Sequence, residues 1–170
     1  INDDNQVDAN DRCMIGCTTP KLLYAVNLHL SYRNFDLTLV GTGKALFETM
    51  LTNKYFWNGW GDNNYSTFVR DNIGGRYPNL SYEKSNNNFV NSSFWMEKGG
   101  FFKMQNAELG YRFAFRKNNR TGISSLRLFL RGANLATFSR IKDVDPEAID
   151  AGVTDYPLFR TVTVGFNVNF

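Results

Sequence analysis

A period of two governs this chain. In the closing stretch RTVTVGFNVNF the even positions carry Val162, Val164, Phe166, Val168 and Phe170, while the odd ones carry Thr161, Thr163, Gly165, Asn167 and Asn169. Successive side chains of a strand point to opposite faces, so such a segment is greasy on one side and polar on the other. The same pattern recurs in LLYAVNLHLSY, where Leu22, Tyr24, Val26, Leu28, Leu30 and Tyr32 oppose Asn27, His29 and Ser31. It continues in FDLTLVGTG, with Phe35, Leu37 and Leu39 against Asp36, Thr38 and Thr42. Ala107, Leu109, Tyr111, Phe113 and Phe115 oppose Asn106, Glu108, Gly110 and Arg112, and Leu126, Leu128 and Leu130 oppose Arg127 and Arg131. The expectation is an all-β chain with strands over about 22–32, 35–43, 101–115, 124–134 and 157–170.

The connections between strands set the topology. Arg33–Asn34 is a two-residue hairpin link, and a short basic turn follows Phe115. The other two connections are long, over about 44–100 and 135–156, the first rich in Gly, Asn and aromatic residues, with room for a short helix at 44–52. A structureless segment of that length argues against a compact soluble domain. Short turns alternating with long loops are the rhythm of transmembrane β-barrels. If the short turns lie at the periplasmic end, Tyr32, Phe35, Phe113, Phe115 and Phe170 fall near one height on the apolar face, as a lipid-interface girdle does. A terminal Phe170 with no polar tail then has a lipid surface to meet.

Mean hydropathy of −0.38 does not oppose this fold, because only alternate barrel residues meet lipid. Five strands cannot close a spanning barrel, so the 170 residues form part of a larger antiparallel transmembrane wall. The polar face, with Asp36, Glu108, Arg112, Arg127 and Arg131, is too charged for a packed small barrel and implies a wide lumen. Glu108 and Arg112 share that face about 13 Å apart by strand rise. Their partners are therefore sought across strands, Arg127 and Arg131 being the candidates.

Other chemistry finds few players. The first residues lack the basic and apolar regions of a signal peptide. A net charge of +3 with scattered basic residues gives no nucleic-acid surface. GTGK at 41–44 lacks the first glycine and the final hydroxyl residue of a phosphate loop. There is one histidine, His29, and no nucleophile or zinc motif, so no enzyme and no cofactor are expected. Cys13 and Cys17 do not meet zinc spacing and are either a local disulfide or two free thiols. No metal is expected. Asp143, Asp145 and Glu147 are the one carboxylate set suited to Ca2+, but EF-hand spacing is not met and an acidic turn begun by Asp-Pro is the commoner explanation. Trp57, Trp60, Tyr65 and Trp95 either pack a loop core or offer flat faces to a partner protein or substrate.

Several spaced segments, TPKLLYAVNLHLSYRNFDLTLVGTG, SSFWMEKGGFFKMQNAELGYRF, LRLFLRGANLATFSR and YPLFRTVTVGFNVNF, together resemble the C-terminal end of SusC/RagA-type TonB-linked outer-membrane transporters of Bacteroidota. The resemblance spans nearly the whole chain. It departs from the usual family pattern at CMIGC and GGFFKMQN, neither of which touches the strand pattern. It implies a barrel of about 22 strands with an N-terminal plug, of which this chain supplies the last five strands. It further implies a SusD-like surface lipoprotein as lid, energy from TonB through a part not present here, and import of oligosaccharides or peptides. Phe166, Val168 and Phe170 then resemble the signal read by the barrel-assembly machinery. Two rivals remain: a passive structural or adhesive outer-membrane barrel, with an identical wall, and a soluble β-sandwich, which folds without lipid.

Overall fold

The computed structural model describes residues 12–53, 55–57, 67, 71, 75, 90–115, 122–142, 144–149, 156 and 158–170. Seven strands appear in chain order: β1 (Leu22–Tyr32), β2 (Phe35–Ala45), β3 (Glu48–Met50), β4 (Met96–Lys98), β5 (Phe101–Ala114), β6 (Ser125–Ser139) and β7 (Thr161–Asn169). Five of them form one antiparallel sheet in the order β1-β2-β5-β6-β7, and β3 pairs with β4 in a separate ribbon. Every neighbour in the large sheet is antiparallel.

Alternation fixes the register. Leu28 lies opposite Leu39, Leu37 opposite Leu109, Leu109 opposite Leu130, and Leu130 opposite Val164. These residues share the apolar face. A one-residue slip would move every apolar side chain to the polar face. The β1–β2 turn places Arg33 at φ +54°, a left-handed conformation more costly for arginine than for glycine.

Three element boundaries differ from the sequence expectation. No helix forms at 44–52: β2 continues to Ala45, Leu46 turns the chain at φ +60°, and Glu48–Met50 is extended as β3. β6 runs to Ser139, well past the expected 134, because Asn134 at φ +53° makes an irregularity inside the strand rather than ending it. β7 begins at Thr161 rather than near 157.

Two irregularities re-phase the sheet. The β5–β6 register passes from Met104↔Ala136 to Asn106↔Ala133, and β2–β5 shifts between Val40 and Gly41. β5 therefore turns even-numbered side chains, Phe102 and Met104, to the face that Ala107 and Leu109 occupy further along. A bulge of this type inserts one residue and flips the alternation.

The hydrophobic core lies outside the sheet. Leu51, Tyr55, Phe56, Trp95, Ile141 and Ile149 pack together at the loop end, drawing residues from both long connections. The sheet itself exposes its apolar face along its length, Val164 at 79% and Phe166 at 69% among others. An apolar surface of this extent needs a partner that is not water.

Candidate functional site

The polar face gathers four of the five residues expected to line it. Arg127 of β6 donates from Nε to Asp36 Oδ1 at 3.0 Å, pairs with Asp36 again through Nη2, and reaches Glu108 Oε1 at 2.7 Å. Arg131 holds the other oxygen of Glu108 at 2.6 Å. The chain Asp36–Arg127–Glu108–Arg131 thus spans β2, β5 and β6, with two charges of each sign. Asp36 and Glu108 are mostly screened from water, while Arg131 is half exposed. Aromatic support comes from Phe129, whose ring lies 5.4 Å from the guanidinium of Arg127 and 5.6 Å from that of Arg131.

Asp36 and Arg127 belong to strands that are not neighbours, so their ion pair must cross β5. It does so over Gly110, which pairs with Asp36 on one side and with Phe129 on the other. A Cβ there would come within 2.6 Å of both Asp36 carboxylate oxygens and closer still to Arg127. The missing side chain is therefore what lets the network close.

Arg112 is not part of it. It lies directly opposite Arg127 in register and lines, with His29, Ser31, Asp36 and Thr38, a concavity of about 490 Å³ on the polar face. His29 Nδ1 shares a 3.0 Å hydrogen bond with Thr38 Oγ1.

The apolar face carries aromatic belts at both ends. At the turn end Phe35 meets Tyr111 edge-on, and Tyr111 meets Phe113, each at 4.6 Å. Tyr32 pairs in register with Phe35. Phe113 lies two positions further toward the turn end than Tyr111, and Phe170 four positions further than Phe166, which shares a row with Leu128 and Tyr111. Phe115 follows β5 directly and is exposed. Tyr111 belongs to this belt too, though only its register reveals it.

The second belt, at the loop end, was not anticipated. Tyr24 stacks beside Phe102, and Phe102 beside Phe138, with centroids 6.1 and 6.4 Å apart. Between Tyr24 and Phe102 lies Gly43, where a Cβ would come within 2.5 Å of the tyrosine hydroxyl. The bare glycine allows Tyr24 to lie across β2 and donate its hydroxyl to the Phe101 carbonyl at 3.1 Å. Alternation beyond the β5 bulge is the signal that would have located Phe102. From Tyr24 to Tyr32, and from Phe102 to Phe113 less the bulge, the belts are separated by about 19–27 Å for strands tilted 35–45°.

At the loop end Lys103, 5% exposed on the polar face, donates to Asp145 Oδ2 at 2.8 Å and Glu147 Oε2 at 2.7 Å. Its ammonium fills the position between these carboxylates that a calcium ion would need, and no metal-binding group appears among the described residues. Asp145 and Glu147, two of the three carboxylates suited to calcium, are thus engaged by this ammonium; Asp143 lies outside the described residues. Trp95 is 1% exposed and meets Trp57 edge-on at 5.7 Å, so its ring is core and offers no face to a ligand. Trp60 and Tyr65 lie outside the described residues. Cys13 and Cys17 are exposed free thiols.

The result is an antiparallel sheet with one apolar face and one charged face, its edge strands β1 and β7 without a further strand beside them among the described residues. The chain is similar in sequence to TonB-dependent receptors and in fold to the RagAB peptide importer. It is 26% identical over 99% of its length to TonB-dependent receptor P26 of Formosa agariphila, and 26% identical over its full length to TonB-dependent receptor P3 of the same organism. It spans about a fifth of the length of these relatives, 19% and 18%. Its fold matches the RagAB peptide importer in the closed-closed state with a TM-score of 0.69 at 20% identity, covering 98% of this chain and 20% of that one. The open-open state matches with a TM-score of 0.63 at 19% identity, covering 90% of this chain and 17% of that one. No family model matches the chain.

Proposed function

We propose that residues 1–170 are the C-terminal barrel wall of a SusC-type nutrient importer of the bacterial outer membrane, and not an enzyme. The apolar face meets lipid, and the charged face lines a water-filled lumen. The observation that carries this is the pair of aromatic belts on one face, separated by about 19–27 Å, against an apolar band of ~25 Å in outer-membrane barrels. Among the described residues both edges of the sheet, β1 and β7, lack a neighbouring strand and carry backbone groups that lipid cannot satisfy. Further strands of a larger barrel, about 22 in the SusC type, would complete them.

In this account the longer protein takes up oligosaccharides or peptides with energy supplied by TonB, beneath a SusD-like lipoprotein. The kinship with TonB-dependent receptors and with the RagAB peptide importer supports the reading. Phe166, Val168 and Phe170, on the apolar face at the chain end, serve as the signal for the barrel-assembly machinery. The test is uptake by cells that express the full-length protein with and without TonB. Uptake abolished by loss of TonB, with ligand binding retained, is expected; uptake that continues would leave the passive-barrel reading in its place.

A further inference from the structure

Residues 144–149, in the connection after β6, lie toward the polar face. Lys103 projects from that face between Thr42 of β2 and Thr137 of β6, with which it is in register. Because its ammonium is engaged by both Asp145 and Glu147, the segment bearing them lies over the sheet rather than standing clear of it. Phe101, on the same face and 4% exposed, is covered beside it. A pocket of about 310 Å³ remains between Glu147 and the wall residues Leu23, Ala25, Thr42 and Lys44.

The segment is fastened at further points. Ile141 and Ile149, buried on either side of the carboxylates, enter the loop core with Leu51, Phe56 and Trp95. The Asn53 side-chain amide donates to the Ile149 carbonyl at 2.5 Å. A polar anchor in the middle and apolar anchors at both ends hold a strap in place; removing the middle one frees its centre without dissolving its ends.

We propose that this strap, pinned at Lys103 by Asp145 and Glu147, narrows the outer mouth of the lumen and sets the size of solute admitted to the polar face below it. The proposal rests on the polar face being the lumen lining. Lys103 is then a specificity-determining residue that acts by positioning the strap. A pinned strap excludes bulky solutes and leaves small ones free to pass.

The test uses the full-length protein in intact cells, with Cys13 and Cys17 replaced by serine and a reporter thiol introduced by Ala133→Cys. Ala133 lies on the polar face, opposite Asn106 and deeper than Lys103. Two thiol reagents are added from outside: a small charged methanethiosulfonate and a maleimide carried on a large polyethylene glycol. The expected result is fast labelling by the small reagent and slow labelling by the large one. Lys103→Met should speed the large reagent about tenfold and leave the small one unchanged, while Lys103→Arg keeps the original ratio. An unchanged rate for the large reagent, or an equal rise for both, overturns the strap. No labelling by the small reagent in any background overturns the strap together with the lumen assignment on which it rests.

Discussion

Replacing Arg127 by methionine keeps most of the apolar stem and removes the cation that joins two carboxylates. Asp36 and Glu108 have side chains 19% and 12% exposed, so water replaces only part of what they lose. Breaking a fully buried pair by removing one partner costs about 3–5 kcal/mol. Here Glu108 keeps Arg131 at 2.6 Å, whereas Asp36 loses the one cation hydrogen-bonded to it among the described residues. The expected destabilisation is therefore about 2–3 kcal/mol, well above the ~0–1 kcal/mol of an exposed pair. Denaturant unfolding of the full-length barrel in lipid vesicles measures it, with heat-dependent gel migration as the check on folding. The double variant Arg127→Met/Asp36→Asn should be less destabilised than the sum of the single changes by about 1 kcal/mol or more. A loss below about 0.5 kcal/mol, or simple additivity in the double variant, would refute the claim that the network ties β2 to β6 across β5.

Three other perturbations follow from the same geometry. Gly110→Ala inserts a methyl group between Asp36 and Arg127 and should cost about 1–3 kcal/mol, a loss that shrinks in the Asp36→Ala background, where the carboxylate it overlaps is gone, when unfolding is measured in the same vesicles. Trp95→Ala empties the centre of the loop core and should cost about 3–5 kcal/mol in local loop stability. Limited proteolysis at the loop end reads that loss, while the sheet stays intact. Phe170→Ala should lower the amount of barrel in the outer membrane several-fold with ligand affinity unchanged, and normal levels on membrane fractionation would remove the assembly role.

The strand pattern was legible because one face of each strand is apolar over most of its length, so alternation survives without knowledge of neighbours. The partners of Glu108 were legible too: a carboxylate four residues from Arg112 along one strand must look sideways, and Arg127 and Arg131 stood at the right spacing. The route from Asp36 to Arg127 was not, since it depends on Gly110 lying between them in a register that sequence alone does not supply. The loop-end belt was hidden by the bulge between Met104 and Asn106, which shifts Phe102 and Met104 out of phase with Leu109. Asn134 and Leu135 likewise break the alternation of β6 and read as a strand end. The fold of Trp95 and Ile149 into one core depends on contacts across more than fifty residues of sequence, for which local patterning carries no signal.

The central claim, that one face meets lipid and the other water, is tested most directly by spin labels placed singly at positions 162–168 of the full-length protein in bilayers. Collision rates with oxygen, which concentrates in lipid, should peak at 162, 164, 166 and 168. Those with a water-soluble nickel chelate should peak at 163, 165 and 167. Opposite phases of period two are the predicted result; oxygen and nickel profiles that rise and fall together would contradict the account.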